Sequence, residues 1–144
     1  HLIVAEVEVV TWLTDEIVLV APPGHTLTQK KQIRIRDLKS EQFISREQGS
    51  ATQAAVDNKL RVSGLQLETV MEMNNPEAVK KAVQSGLGVA FISRFAVETE
   101  LKAKTLVAVR VKDLSLNREL KIVYRKAKHL SRAAQVFIKM CDTP

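Results

Sequence analysis

Arg46, Ser50 and Thr52 are the residues whose types and spacing point most directly to chemistry, and that chemistry is recognition of an anion. A guanidinium is a planar fork of N–H donors that matches carboxylate and phosphate oxygens. Two hydroxyls placed on the first turn of a helix add donors beside backbone N–H groups that the helix cannot pair internally. The positive end of the helix dipole lies in the same place. Taken alone, these residues equally make a plain helix cap beside a solvated arginine, so the surrounding elements matter.

Phe43-Ile44 has strand character and breaks at Gly49, and Ser50 with Gln53 three residues on has the spacing of a capping box. A helical run follows from Ala51 to Leu60, and Gly64 closes it. Asn74-Asn75-Pro76-Glu77 is a second helix start, with an Asn cap, Pro in the first turn and an acid beside the dipole. Its apolar face is Ala78, Val79, Ala82 and Val83, and Gly86 ends it. Ser93 is placed to cap a helix carrying Phe95, Val97 and Leu101, and Ser131 to open a last one carrying Ala133, Val136, Phe137 and Met140. Asp37 caps a short turn before Phe43.

Strands are expected at Leu2–Ala5, at Glu6–Val10 as it reaches a sheet edge, and at Ile17–Ala21. Pro22-Pro23-Gly24 stops the last of these and marks a boundary between two packed units. Ile33 and Ile35 alternate briefly, Leu65 to Met71 alternates with one wet face, and Gly88–Ile92, Leu106–Val111 and Leu120–Tyr124 read as further strands. Strands alternating with helices of about ten residues predict an α/β fold, with a mainly parallel sheet covered on both sides. Ligands in such sheets bind where strands end and helices begin.

Several chemistries find no support. Gly86-Leu87-Gly88 is too short for a dinucleotide fingerprint, and Gly49-Ser50-Ala51-Thr52 lacks the Lys of a phosphate loop. No G-x-S-x-G motif or acid pair is present, and Glu47 beside Arg46 reads as a surface ion pair sooner than as a proton carrier. No catalytic residue is assigned. His1, His25 and His129 are isolated and Cys141 is the single cysteine, so neither a metal site nor an internal disulfide is expected, and no cofactor. The chain has 144 residues, 45% apolar and 26% charged, an ordinary globular composition. No apolar run reaches the roughly 20 residues of a membrane helix, and no leader opens the chain, which gives a cytoplasmic expectation. The net charge of +6 is spread over scattered residues such as Lys30, Lys31, Lys80, Lys81, Lys102 and Lys104, and aromatics are 4%. These basic residues read mostly as solvated faces rather than as a nucleic-acid platform.

Asp15 to Leu27, Asp37-Leu38, Phe43 to Thr52, Ala82 to Ser93 and Arg118 to Phe137 together resemble, in order and spacing, the effector-binding domain of LysR-type transcriptional regulators. Within that family the resemblance leans to the branch that controls carbon-fixation genes. It implies a type 2 periplasmic-binding-protein-like fold of two Rossmann-like α/β subdomains with an effector cleft between them. Residues 1–21 would end the first subdomain, 22–109 form the second and 110–144 return to the first. The hinge crossings would be Val20, Ala21 and Pro22, with Arg110 and Val111. The effector would be a small anionic metabolite held by Arg46, Gly49, Ser50, Thr52, Gly88 and Val89. The first subdomain would be incomplete and the helix-turn-helix absent, so DNA would be bound only by a part outside this chain. The intact protein would be a homodimer or homotetramer that is not an enzyme. The alternative is a transporter's solute-binding protein, which shares the fold.

Overall fold

The computed structural model describes residues 6–126 and 129–141; the strand expected at Leu2–Ala5 lies outside them. In chain order the elements are β1 (Val7–Ala21), α1 (Thr26–Gln29), a 3-10 segment (Ile35–Ser40), β2 (Gln42–Arg46), α2 (Ala51–Val62), β3 (Glu68–Met73) and α3 (Pro76–Gln84). They continue with β4 (Ala90–Ser93), a 3-10 segment (Arg94–Val97), α4 (Glu98–Lys102), β5 (Val107–Val109), β6 (Asn117–Arg125) and α5 (Arg132–Cys141). Contacts divide the chain into two units, residues 1–15 with 118–144 and residues 16–117.

The larger unit is organised on β1. Its residues Ile17–Val20 pair antiparallel with β4, and Leu19–Ala21 pair antiparallel with β5 on the other edge. β4 and β5 therefore run the same way. β2 joins them through a parallel bridge between Phe43 and Val89, and β3 lies parallel to β2. The expected mainly parallel sheet is present with one reversed strand, β1, in its middle. The two expected strands before Pro22 form one strand of 15 residues, because Thr11 to Glu16 keep extended backbone and contain neither Gly nor Pro to break it.

Alternation along β1 divides the core. Ile17, Leu19 and Ala21 face one cluster with Leu27, Phe43, Val56, Leu60 and Phe91, beneath α2 and the first 3-10 segment. Val18 and Val20 face the other with Val79, Val83, Ile92 and Val97, beneath α3 and α4. A period of two thus yields a sheet covered on both faces. Phe43 and Phe91, on neighbouring strands, stack with ring centroids 5.8 Å apart.

Helix ends follow local chemistry. The Asn75 side chain accepts the Ala78 N–H at 2.8 Å with Pro76 in the first turn, and Gly86 takes φ +76 beyond the C-cap. Ser63 ends α2 and Gly64 follows at φ +70. Ser93 makes no side-chain cap, and a 3-10 segment stands where the helix was expected to begin. Ile35 likewise lies in 3-10 structure rather than in a strand.

Lys80 corrects the reading of scattered, solvated lysines. It is 7% exposed, and its ammonium donates to Glu100 at 2.8 Å, Glu77 at 2.7 Å and the Ala96 carbonyl at 3.0 Å. The pair joins α3 to α4. Burial opposes the Lys80 charge, but the hydrogen bonds to Glu100 and Glu77 outweigh it and raise the pKa. Lys80 in turn holds Glu100 below its ordinary value, against burial.

The smaller unit holds the first part of β1, β6, which pairs with it, and α5. Its fully buried Asp15 carboxylate accepts from Arg118 Nε at 2.9 Å and Nη2 at 2.8 Å. Ser131 caps α5 through the Ala134 N–H, and Phe137 and Met140 remain 55% and 71% exposed. Val20 and Ala21, expected at a hinge, are fully buried in the sheet of the larger unit, whose boundaries fall at 15/16 and 117/118.

Two measurements test this packing. A Cβ on Gly88 would lie 2.6 Å from the Gln42 carbonyl oxygen, so Gly88→Ala is expected to lower stability by about 1–3 kcal/mol in denaturant melts; an unchanged midpoint refutes the close approach. Because the Glu100 pKa is lowered, its pairing stabilises above the ordinary value of 4.5 and is lost as pH falls through the lowered folded value. The stability gap between wild type and Glu100→Gln should therefore shrink on going from about pH 7 to about pH 3. A gap independent of pH would discard the pairing.

Candidate functional site

β2 ends at Arg46, and the turn from Glu47 to Ser50 leads directly into α2. The turn is fixed by its own backbone. The Arg46 N–H donates to Gln53 Oε1 at 3.0 Å, the Glu47 N–H to the Met73 carbonyl at 3.1 Å, and the Ser50 N–H to the Glu47 carbonyl at 3.1 Å. Gly49 sits at φ +91, a conformation that side chains resist, so glycine is needed for the chain to turn into the helix here. The loop is thereby tied to both β3 and the first turn of α2.

The Ser50 side chain, nearly buried, accepts the Gln53 N–H at 3.4 Å and so caps α2. The expected capping box is only half made, because the Gln53 side chain turns to the Arg46 N–H and donates to Asp57 at 2.8 Å. The N–H groups of Gln48, Gly49 and Ala51 have no hydrogen-bond partner among the described residues. Thr52, half-buried, lies on the first turn beside them. Fixed backbone donors, two hydroxyls and the positive end of a helix of 12 residues thus converge at the carboxyl end of β2.

Arg46 is occupied. Its Nε and Nη2 donate to the two Glu47 carboxylate oxygens at 2.7 and 2.8 Å, and this hydrogen bond holds the Glu47 pKa below its ordinary value. The guanidinium retains donors on its other nitrogen, but its charge is largely balanced by Glu47.

Gly88 and Val89 lie elsewhere. Val89 stands opposite Phe43, near the amino end of β2, whereas Arg46 is three residues further along, roughly 10 Å at the rise of a strand. The Val89 side chain is buried in the core, its N–H donates to Gln42 O and its carbonyl accepts from Ile44 N–H. The structure therefore brings Arg46, Gly49, Ser50 and Thr52 together and sets Gly88 and Val89 at the other end of the strand. Gln48 and Gln53, which sequence reading left out of the site, belong to the same turn; the position of Gln53 in S-x-x-Q was the available signal. A cavity of about 800 Å³ opens beside the turn, reached by Arg46, Gln48 and Gln53 and continuing past Leu60, Leu65 and Leu67.

Among the described residues no group of three or more His, Cys, Asp or Glu side chains is gathered as a metal site requires, and no helix is long and apolar enough to cross a membrane. An α/β sheet with a donor-rich helix start at a strand's carboxyl end defines a ligand-binding domain. The chain belongs to the LysR substrate binding domain family, whose pattern matches residues 4–143, and its α/β fold is the periplasmic-binding-protein-like one of LysR regulatory domains. It is 37% identical over 132 residues to the RuBisCO operon transcriptional regulator of Allochromatium vinosum, covering 92% of this chain and 44% of that protein. It is 38% identical over 131 residues to the uncharacterized HTH-type transcriptional regulator YeiE of Escherichia coli K12, covering 91% of this chain and 44% of that one. The chain thus spans less than half the length of these relatives. Among solved structures it superposes on the Synechocystis PCC6803 CcmR regulatory domain in complex with 2-PG with a TM-score of 0.85 at 26% identity, covering 96% of this chain and 67% of that one.

The cap can be tested apart from any ligand. Ser50→Ala should cost about 1 kcal/mol of stability and Ser50→Gly only a few tenths, read from urea unfolding. Equal, near-zero effects would mean that Ser50 does not cap α2.

Proposed function

We propose that this chain is the sensing part of a LysR-type transcriptional regulator and takes a small anionic metabolite at the start of α2. Gly49, Ser50 and Thr52, with the backbone donors of the turn, hold the anion, and Arg46 shares its guanidinium between the ligand and Glu47. The observation that carries this reading is the set of N–H groups at Gln48, Gly49 and Ala51, aimed from a turn whose other donors are already engaged. Donors held in place before the ligand arrives lose little entropy when it binds.

The relatives are described as transcriptional regulators, which favours a regulator over a solute-binding protein or an enzyme. In the intact regulator, DNA would be bound by a helix-turn-helix outside this chain, in a cytoplasmic homodimer or homotetramer. The ligand shifts the regulator's conformational balance only by binding one arrangement more tightly than another.

The ligand of the CcmR domain, 2-PG, is a fitting first probe. Calorimetric titration of the intact regulator with 2-PG and with small carboxylates should give at least one saturable ligand. Its affinity should drop roughly tenfold or more in Ser50→Gly, which spares the cap, and in Thr52→Val. Affinity unchanged in both variants would place the site elsewhere.

A further inference from the structure

Between Val109 and Asn117 the chain leaves the sheet of the larger unit, and beneath this excursion lies a cavity of about 430 Å³. The excursion is pinned along its length. The Lys112 N–H donates to the Ile33 carbonyl at 2.9 Å, the Ile35 N–H to the Asp113 carboxylate at 2.9 Å, and the Ile17 N–H to the Leu116 carbonyl at 2.8 Å. A wall held this way needs no ligand to order it.

The cavity has two kinds of surface. Leu19, Phe91, Val109 and Leu116 contribute its apolar side chains. Glu16, Arg94, Arg110 and Lys112 contribute its charges. Glu16 and Arg94 balance each other, with Arg94 Nε donating at 2.6 Å. Arg110 and Lys112 are exposed and make no ion pair or side-chain hydrogen bond among the described residues. Two unmatched positive charges therefore border an apolar cavity of small-ligand size.

We propose that this cavity is a binding site for a small monocarboxylate with an alkyl body, its carboxylate on Arg110 and Lys112 and its body against Phe91 and Leu19. An inorganic anion would leave the apolar lining unused, and Glu16 disfavours a second negative charge on the ligand. None of Arg46, Gly49, Ser50 and Thr52 lines the cavity, so the site is separate from the start of α2.

Titration of the full 144-residue chain with hexanoate, followed by amide proton–nitrogen correlation spectra, tests this. The expected result is saturable shifts at Ile17 to Leu19 and Ala108 to Leu116. Acetate and 1-hexanol, which carry the charge or the body alone, should each bind roughly tenfold or more weakly. The double variant Arg110→Ala, Lys112→Ala should weaken hexanoate roughly tenfold or more. Both side chains are exposed and unpaired, so this variant should keep the fold. Glu16→Gln should hold or strengthen binding, and Ser50→Gly should leave it unchanged, separating this site from the one at α2. No saturation, hexanol or acetate equal to hexanoate, an unaffected double variant, or loss in Glu16→Gln would each overturn the proposal.

Discussion

β1 runs against its neighbours in the middle of a sheet, and the larger unit is built to satisfy it on both edges. Val20 and Ala21 are fully buried, so each N–H and carbonyl there must find a partner, and an orphaned one costs about 1–3 kcal/mol. β4 supplies partners on one side and β5 on the other, with Leu19 opposite both Phe91 and Val109. Continuing the β5 register would set Val111 opposite Ile17. Instead Val111 bridges Ile33, and the Leu116 carbonyl accepts from the Ile17 N–H. The excursion between them is thus a consequence of satisfying two strands at once, and the cavity beneath it follows from the excursion.

The same accounting shapes the turn at the end of β2. Its N–H groups divide into those that fix the loop, at Arg46, Glu47 and Ser50, and those left open, at Gln48, Gly49 and Ala51. The first group gives the second its direction. Gln53 takes part by leaving its textual place in a capping box and binding the strand end instead, so the helix start is anchored to the sheet rather than only to itself. Recognition and local stability therefore draw on the same few residues, and Ser50 serves the helix before it serves any ligand.

Much of this was legible because it is local. Asn75 with Pro76, Gly64 and Gly86 after their helices, and Ser131 before the last one each state a helix boundary within a few residues, and the structure agrees. Alternation in Ile17 to Ala21 announced a strand buried on both faces. What local pattern does not encode is direction and partnership. Nothing in the period of β1 says that it runs antiparallel, and nothing near Gly88 says that the Gln42 carbonyl will press on it. Gly88 and Val89 were placed beside Ser50 because both follow glycine-marked turns, yet the two turns lie at opposite ends of the parallel strands. Lys80 looked like any surface lysine because its partner Glu100 is 20 residues away and on another helix.

Charge placement separates the pairs that hold the structure from those that decorate it. Lys102–Glu98 and Arg94–Glu16 are at least half-exposed on both partners, where ion pairs contribute about 0–1 kcal/mol. Asp15 differs in kind, since its side chain is fully buried and Arg118 meets it with two guanidinium nitrogens. Removing one partner of a buried pair costs about 3–5 kcal/mol, because the remaining charge stays in low dielectric without compensation. That pair ties β1 to β6 in the smaller unit, beside the point where β1 passes into the larger one. A chain with 22 basic and 16 acidic residues thus commits few of its charges to the interior, and the residue that fixes the strand on which the larger unit is built is among them.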